Sequence, residues 1–151
     1  MNAPFVSAPE DVSSLEGSQR GTIAYLASPA AHSGVVPDHV VTHISHIFVA
    51  DDTALKLKRA RKVPFVDYST VALREAFCRR EVAVNRRFAP QLYRGVQAVT
   101  HDGERYALEG PGEVVDWVVE MNRFPAGAQL VPVDKGFDRY GYSKTPRQRV
   151  L

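Results

Sequence analysis

Two lysines and one glutamate have the types and spacing to do chemistry together. Lys56 and Lys58 lie on one face of an alternating segment, because side chains along a strand repeat with period two. Glu81 interrupts the apolar face of a helix predicted further along the chain, and a carboxylate near a buried face needs a partner. A strand lysine held by a helix glutamate can present its ammonium group to nucleotide phosphates. The three residues therefore indicate a phosphate-binding site.

The residue two positions before each lysine indicates which of the two lysines is the better candidate for binding phosphate. It shares the face of the lysine and would lie against the base of a nucleotide. Before Lys56 this residue is Ala54, which is small and apolar, whereas before Lys58 it is Lys56, whose charge would have to be desolvated. Lys56 is therefore the preferred phosphate ligand. The alternative is that both lysines line a solvated edge strand, where lysine is common.

Two strands and one long helix position these residues. Alternation predicts strands at residues 43–50 and 53–59, joined by a turn at Asp51 and Asp52. Ser69 or Thr70 is the expected N-cap of a helix that runs to about Arg87. Its apolar stripe, expected to face the core, consists of Leu73, Phe77, Val84 and Phe88, with Ala76 and Ala83 beside them.

The rest of the chain adds strands around this unit. Residues 21–29 are expected to form a short helix outside the sheet, and strands are predicted at residues 93–100, 105–108 and 114–121. In the last of these strands one face is expected in the core: Val115, Trp117, Val119 and Met121. The predicted fold class is α+β, with a twisted antiparallel sheet of about five strands and one long helix packed on it.

Four short motifs stand in order between residues 22 and 125. They are residues 42–45 (Thr-His-Ile-Ser), 56–58 (Lys-Leu-Lys), 65–70 (Phe-Val-Asp-Tyr-Ser-Thr) and 85–87 (Asn-Arg-Arg). This order resembles the N-terminal segment of bacterial aminoglycoside phosphotransferase-like proteins, a family of predicted kinases. The resemblance implies a kinase-like N-lobe over residues 22–125 and a cleft that binds ATP with Mg²⁺.

The resemblance also implies roles for further residues of the nucleotide site. Ser45 would contact phosphate where other kinases have a glycine-rich turn. Met121 would close the back of the adenine pocket, although a methionine that fills a gap in the core is the alternative. Asn122 and Arg123, followed by Phe124, would form the hinge whose backbone groups bind adenine. With Lys56, Glu81 and Ala54, these residues complete the expected site.

Composition limits the classes of function. The chain has 151 residues, enough for one domain, and its net charge of +2 makes nucleic acid an unlikely partner. No apolar run approaches the roughly 18 residues that a membrane span needs. The single cysteine, Cys78, is expected to be a packed thiol in a reducing, cytoplasmic protein. The histidines show no metal-ligand spacing, so no metal site is expected in the protein itself.

The two ends of the chain set further expectations. Residues 1–21 read as a flexible leader and residues 126–151 as an extended or disordered tail. The tail contains no histidine–aspartate catalytic loop with a following asparagine, so no catalytic residue is assigned and the chain is expected to be a truncated lobe, inactive alone. Such a lobe should expose an apolar patch that binds a C-lobe on another chain or a second copy.

Three functions remain open at this point. The first is the ATP-binding lobe of an aminoglycoside phosphotransferase-like kinase, whose complete family transfers phosphate to a small-molecule hydroxyl. The second is a non-catalytic binding or interaction module that reuses the lobe. The third is a weak basic nucleic-acid binder, against which the low net charge argues.

Overall fold

An antiparallel sheet with one helix on each face is the frame of the molecule. The computed structural model describes residues 15–123; the expected tail, residues 1–14 of the expected leader and Phe124 lie outside this range. The elements are α1 (Arg20–Leu26), a 3₁₀ turn (Pro29–Ala31), β1 (Asp38–Val41), β2 (Ser45–Ala50), β3 (Thr53–Lys58), β4 (Lys62–Val63), β5 (Val66–Asp67), α2 (Val71–Asn85), β6 (Tyr93–His101), β7 (Tyr106–Leu108) and β8 (Glu113–Asn122).

The main sheet has six strands in the order β1-β2-β3-β8-β6-β7, and every neighbouring pair is antiparallel. Strands β4 and β5 form a separate two-stranded hairpin before α2. The α+β class and the antiparallel sheet are therefore confirmed, with one strand more than expected. The predicted strand 43–50 begins only at Ser45, because the backbone N–H of Ser45 donates to Thr42 Oγ1 (3.0 Å) in the turn after β1.

The two faces of β3 are buried against different helices. Leu55 and Leu57 belong to an apolar cluster that also contains Leu26 of α1. Ala54 belongs to the opposite cluster, together with Cys78 and other residues of α2. The alternation predicted for β3 is thus present, and it directs Lys56 and Lys58 towards α2. The short helix expected near residues 21–29 is α1, but it packs on the sheet and not outside it, because Leu26 is fully buried in this cluster.

Helix α2 begins where expected but turns a different face inwards. Thr70 is the N-cap, and its Oγ1 accepts a hydrogen bond from the backbone N–H of Leu73 (3.1 Å). The predicted core stripe is wrong, since Val84 is 45% exposed and Phe88 is 81% exposed. The buried residues are Arg74, Cys78 and Val82. An arginine can lie on the inner face because a buried carboxylate compensates its charge, as described below.

Strand β8 does not keep one face along its whole length. Trp117, Val119 and Met121 pack in the α2 cluster, as predicted, but Val115 packs in the α1 cluster. The pairing with β6 shifts by one residue between Val99 and Thr100, which leaves Val115 as the extra residue of a bulge. A bulge reverses the alternation of side chains, so the prediction for Val115 is wrong.

The first described residues are packed against the sheet. Gln19 is 2% exposed, although it falls in the stretch expected to be a flexible leader. Glu16 forms ion pairs with Arg59 (2.8 Å) and Arg61 (3.3 Å). No helix within residues 15–123 has the length and apolar composition required to cross a membrane.

Candidate functional site

Glu81 of α2 binds both lysines of β3. Glu81 Oε2 lies 3.2 Å from Lys56 Nζ, and Glu81 Oε1 lies 2.6 Å from Lys58 Nζ. The pair expected between Lys56 and Glu81 is therefore present, but the carboxylate is shared with Lys58. The Lys58 side chain is only 4% exposed, against 12% for Lys56 and 13% for Glu81.

Electrostatics favour the charged forms of Glu81 and Lys58. Burial by itself would raise the pKa of Glu81, but attraction to Lys56 and Lys58 outweighs burial and lowers that pKa. Burial would likewise lower the pKa of Lys58, but attraction to Glu81, Tyr68 and Cys78 together with the hydrogen bond to Glu81 outweighs burial and raises that pKa. The Lys58 ammonium also lies 5.0 Å from the centre of the Tyr68 ring, a cation–π contact. These contacts stabilise the ion pair between Lys58 and Glu81.

Ser45 lies beside Lys58 in the sheet. The two residues are direct partners in the β2–β3 pairing, so their side chains point to the same face. Ser45 is 1% exposed, and within the described residues its Oγ has no hydrogen-bond partner. A buried hydroxyl without a partner costs about 1–3 kcal/mol unless water or another oxygen reaches it. The expected contact of Ser45 with phosphate stays a prediction, and its buried hydroxyl is open to an acceptor.

Ala54 and Met121, the two residues expected to line an adenine pocket, are neighbours in the sheet. They pair directly across β3 and β8, and both belong to the apolar cluster under α2. Both are also 0% exposed. In this conformation a purine could reach them only after a rearrangement of the residues that cover them.

The expected hinge residues use their backbone donors within the chain. The N–H of Asn122 donates to the carbonyl oxygen of Leu92 (2.7 Å), and the N–H of Arg123 donates to that of Asp52 (2.8 Å). The Asn122 side chain is also engaged, because its Oδ1 accepts from Arg94 Nε. An adenine bound here would need acceptors or donors other than these two N–H groups.

A second buried ion pair, which the sequence interpretation missed, is linked to the site through Gln19. Arg74 Nε donates to Asp116 Oδ1 (2.8 Å), with side chains 4% and 1% exposed. Gln19 Nε2 donates to Asp116 Oδ2 (2.8 Å) and to the carbonyl oxygen of Lys58 (2.9 Å). Gln19 Oε1 accepts from the N–H of Ala60 (2.8 Å). One glutamine thus ties the end of β3 to β8.

The only sequence signal of that network is an aspartate in an otherwise apolar run. Asp116 interrupts the strongly apolar strand β8, and an acidic residue in such a strand needs a cationic partner. The partner could not be identified from spacing, because Arg74 lies 42 positions away.

The turn between β1 and β2 brings two histidines together. His39 Nε2 and His46 Nδ1 are 3.0 Å apart, a hydrogen bond in which one ring donates, and both rings stack near Phe48. Burial, followed by the nearby His39 and Arg59, lowers the pKa of His46 to about 4. Burial also lowers the pKa of His39.

A shallow open depression adjoins the lysine–glutamate cluster. Its volume is about 290 Å³, and it is lined by Lys58, Tyr68, Phe77, Arg80, Glu81, Val84 and Asn85. Among residues 15–123 no three histidine, cysteine, aspartate or glutamate side chains are grouped as a metal site would need. Cys78 is fully buried, and burial raises the pKa of its thiol to about 12, so it is a packing residue.

Comparison of the chain with protein-family models, with curated proteins and with solved structures gives no match.

Proposed function

We propose that this chain is the ATP-binding lobe of an aminoglycoside phosphotransferase-like kinase, a family that transfers phosphate to a small-molecule hydroxyl. The observation that carries the proposal is the 3.2 Å ion pair between Lys56 and Glu81. Kinases hold ATP phosphates with a lysine on the third strand of the N-lobe, paired with a glutamate of the following long helix. Lys56 lies on the third strand, and Glu81 lies on the long helix that follows it.

The donors of the site fit a phosphate group. Lys56 would bind phosphate oxygens, and Glu81 would hold its ammonium in position. Lys58 lies deeper and would add positive charge behind it. The Ser45 hydroxyl lacks a partner within the described residues but is 1% exposed, so it would donate to a water beside the phosphate or, after a local rearrangement, to a phosphate oxygen. Mg²⁺ would enter with the nucleotide, since Mg²⁺ in such sites keeps substrate phosphates as ligands.

The proposal concerns binding and positioning. Phosphoryl transfer also needs a residue that orients the attacking hydroxyl and carboxylates that hold the metal. The proposed role of residues 15–123 is to bind and position the nucleotide.

Calorimetric titration with Mg·ATP tests the proposal. We expect micromolar affinity in the wild type and a loss of at least about tenfold in Lys56→Met, which keeps the aliphatic stem but removes the charge. Lys62→Met is the matched control, because the Lys62 side chain is 72% exposed and lies outside the site. Far-UV circular dichroism checks that each variant is folded. Binding that is absent in the folded wild type, or unchanged in Lys56→Met, would overturn the proposal.

A non-catalytic interaction module is the second candidate, and one observation favours it. Ala54 and Met121 are completely covered, and the N–H groups of Asn122 and Arg123 already donate within the chain. A lobe whose own side chains fill the adenine pocket would keep the fold but would no longer bind a nucleotide. The same titration decides: a folded wild type that gives no heat with Mg·ATP at millimolar concentration supports this candidate.

A further inference from the structure

The apolar stripe of α2 is exposed at its C-terminal end and partly exposed at its N-terminal end. Residues 73, 77, 84 and 88 recur at the spacing of one helix face, and the chain continues as helical turns from Asn85 to Phe88. Val84 and Phe88 are 45% and 81% exposed, and Leu73 and Phe77 are half-buried. We call these four residues, with Arg80 and Arg87 between them, the outer face of α2.

The outer face includes a recess. Phe77, Arg80 and Val84 line the depression beside α2, and Tyr68 lines it as well. Tyr68 and Phe77 meet edge to face with ring centres 5.1 Å apart, so the two rings form one continuous part of its surface. The recess can take a bulky apolar side chain, and Phe88 extends the apolar surface beyond it.

The charges of the outer face are positive. Arg79 Nε forms an ion pair with Glu75 Oε2 (2.9 Å). Arg86 donates hydrogen bonds to the carbonyl oxygens of Tyr93 and Arg94. Within residues 15–123 the guanidinium groups of Arg80 and Arg87 have no hydrogen bond or ion pair. The one carboxylate that lines the recess, Glu81, is held by two lysines.

We propose that the outer face of α2 binds a peptide segment of another protein that places a bulky apolar side chain in the recess and carboxylates against Arg80 and Arg87. Exposed apolar surface rimmed by unpaired charge is typical of a protein-binding site. This inference does not depend on nucleotide binding by the lysine–glutamate cluster.

Other occupants fit the charges less well. A two-fold dimer through this face would bring each basic face against its own copy, which places like charges together. Residues 124–151 of this chain carry five basic and two acidic side chains, again the same sign as the face. Nucleic acid would meet the arginines but would leave Val84 and Phe88 against a charged backbone.

Selection from a random peptide library displayed on phage tests the proposal. We expect enriched peptides to combine Asp or Glu with Phe, Leu, Trp or Met, and a synthetic copy of the strongest to bind in fluorescence polarisation. Val84→Ser and Phe88→Ser should each weaken binding about tenfold. Arg80→Glu should abolish preference for acidic peptides and select basic ones instead. Val36→Ser is the control, because Val36 is 71% exposed and lies before β1, outside this face.

The proposal is overturned if no peptides are enriched over an unrelated bait, or if the wild type enriches basic peptides. It is also overturned if peptide binding survives both Val84→Ser and Arg80→Glu. A further contrary result is that no peptide binds while a single-stranded oligonucleotide binds and these variants abolish that binding. Sedimentation of the wild type supplies a further check. A dimer that Val84→Ser dissociates would assign the face to a second copy.

Discussion

Lys58 Nζ lies 2.6 Å from Glu81 Oε1, a shorter contact than the one that Lys56 makes with the same carboxylate. The more buried lysine therefore makes the closer ion pair. Lys56, which is more exposed, is the better placed of the two to reach a ligand. A structural role for Lys58 and a binding role for Lys56 lead to different mutational effects.

Removing the charge of Glu81 should destabilise the fold. Glu81→Gln keeps the shape of the side chain but leaves the Lys58 ammonium buried without its carboxylate. We expect the free energy of unfolding to fall by about 3 kcal/mol, measured by urea denaturation at neutral pH. Lys62→Met, at a 72% exposed side chain, is the control and should change it by less than about 0.5 kcal/mol. Equal effects in the two variants would contradict the structural role.

The buried Arg74–Asp116 ion pair should contribute more to the stability of the fold than the exposed Glu75–Arg79 pair. Asp116→Asn removes the charge opposite a buried guanidinium and also disturbs the bond from Gln19, so we expect a loss of about 3–5 kcal/mol. Glu75→Gln breaks the exposed pair with Arg79 and should cost less than about 0.5 kcal/mol. Thermal and urea unfolding of both variants give the comparison, and similar losses would refute the ranking.

His46 should make the fold weaker in mild acid. Its pKa is about 4 in the folded chain against 6.5 ordinarily, so between these values the unfolded chain takes up a proton that the folded chain does not. Stability should therefore fall as the pH drops from 6.5 towards 4. Glu81, with its lowered pKa, also loses its stabilising effect in acid, but only below its ordinary value of 4.5.

Unfolding of the wild type and of His46→Gln at pH values near 7 and 5 measures the contribution of His46. The wild type should lose stability between the two, and the variant should lose less. Val36→Ser, which has no titrating group at the changed position, should follow the wild type. An identical pH dependence in wild type and His46→Gln would show that this histidine does not control it.

Cys78 should be inert until the chain opens. Its thiol is 0% exposed and burial raises its pKa to about 12, so both the thiolate and access to it are suppressed. A disulfide reagent should label the native chain no faster than the chain unfolds, and label it fully in concentrated urea at the same pH. Rapid labelling without urea would mean that α2 separates from the sheet in the native state.

Local pattern predicted the parts of this fold that depend on neighbours in sequence. Strand β3 and its alternation follow from period two, and Thr70 is recognisable as an N-cap because its hydroxyl serves an N–H three residues later. The contact of Lys56 with Glu81 was also predictable, since a carboxylate near a buried helix face needs a cation and the nearest strand supplies one.

Features that depend on distant partners were not predictable. Hydrophobic spacing assigned Val84 and Phe88 to the core, but the buried Arg74 orients α2 differently, and its partner Asp116 is far away in sequence. The bulge at Val115 arises from pairing with β6, which no property of β8 alone reveals. The burial of Gln19 requires three partners, of which Lys58 and Ala60 lie at and just after the end of β3 and Asp116 lies in the distant strand β8.

The hydrogen bond from Gln19 to Asp116 joins positions 97 residues apart and has a consequence for the order of folding. Closing so long a loop in an unfolded chain costs conformational entropy. The contact should therefore form only after the intervening strands have assembled and brought its two ends close together. The segment before α1, which contains Gln19, should therefore dock last. In a hydrogen-exchange experiment during refolding, the amides of the central strands should become protected before the amide of Ala60, because the Ala60 N–H donates to Gln19.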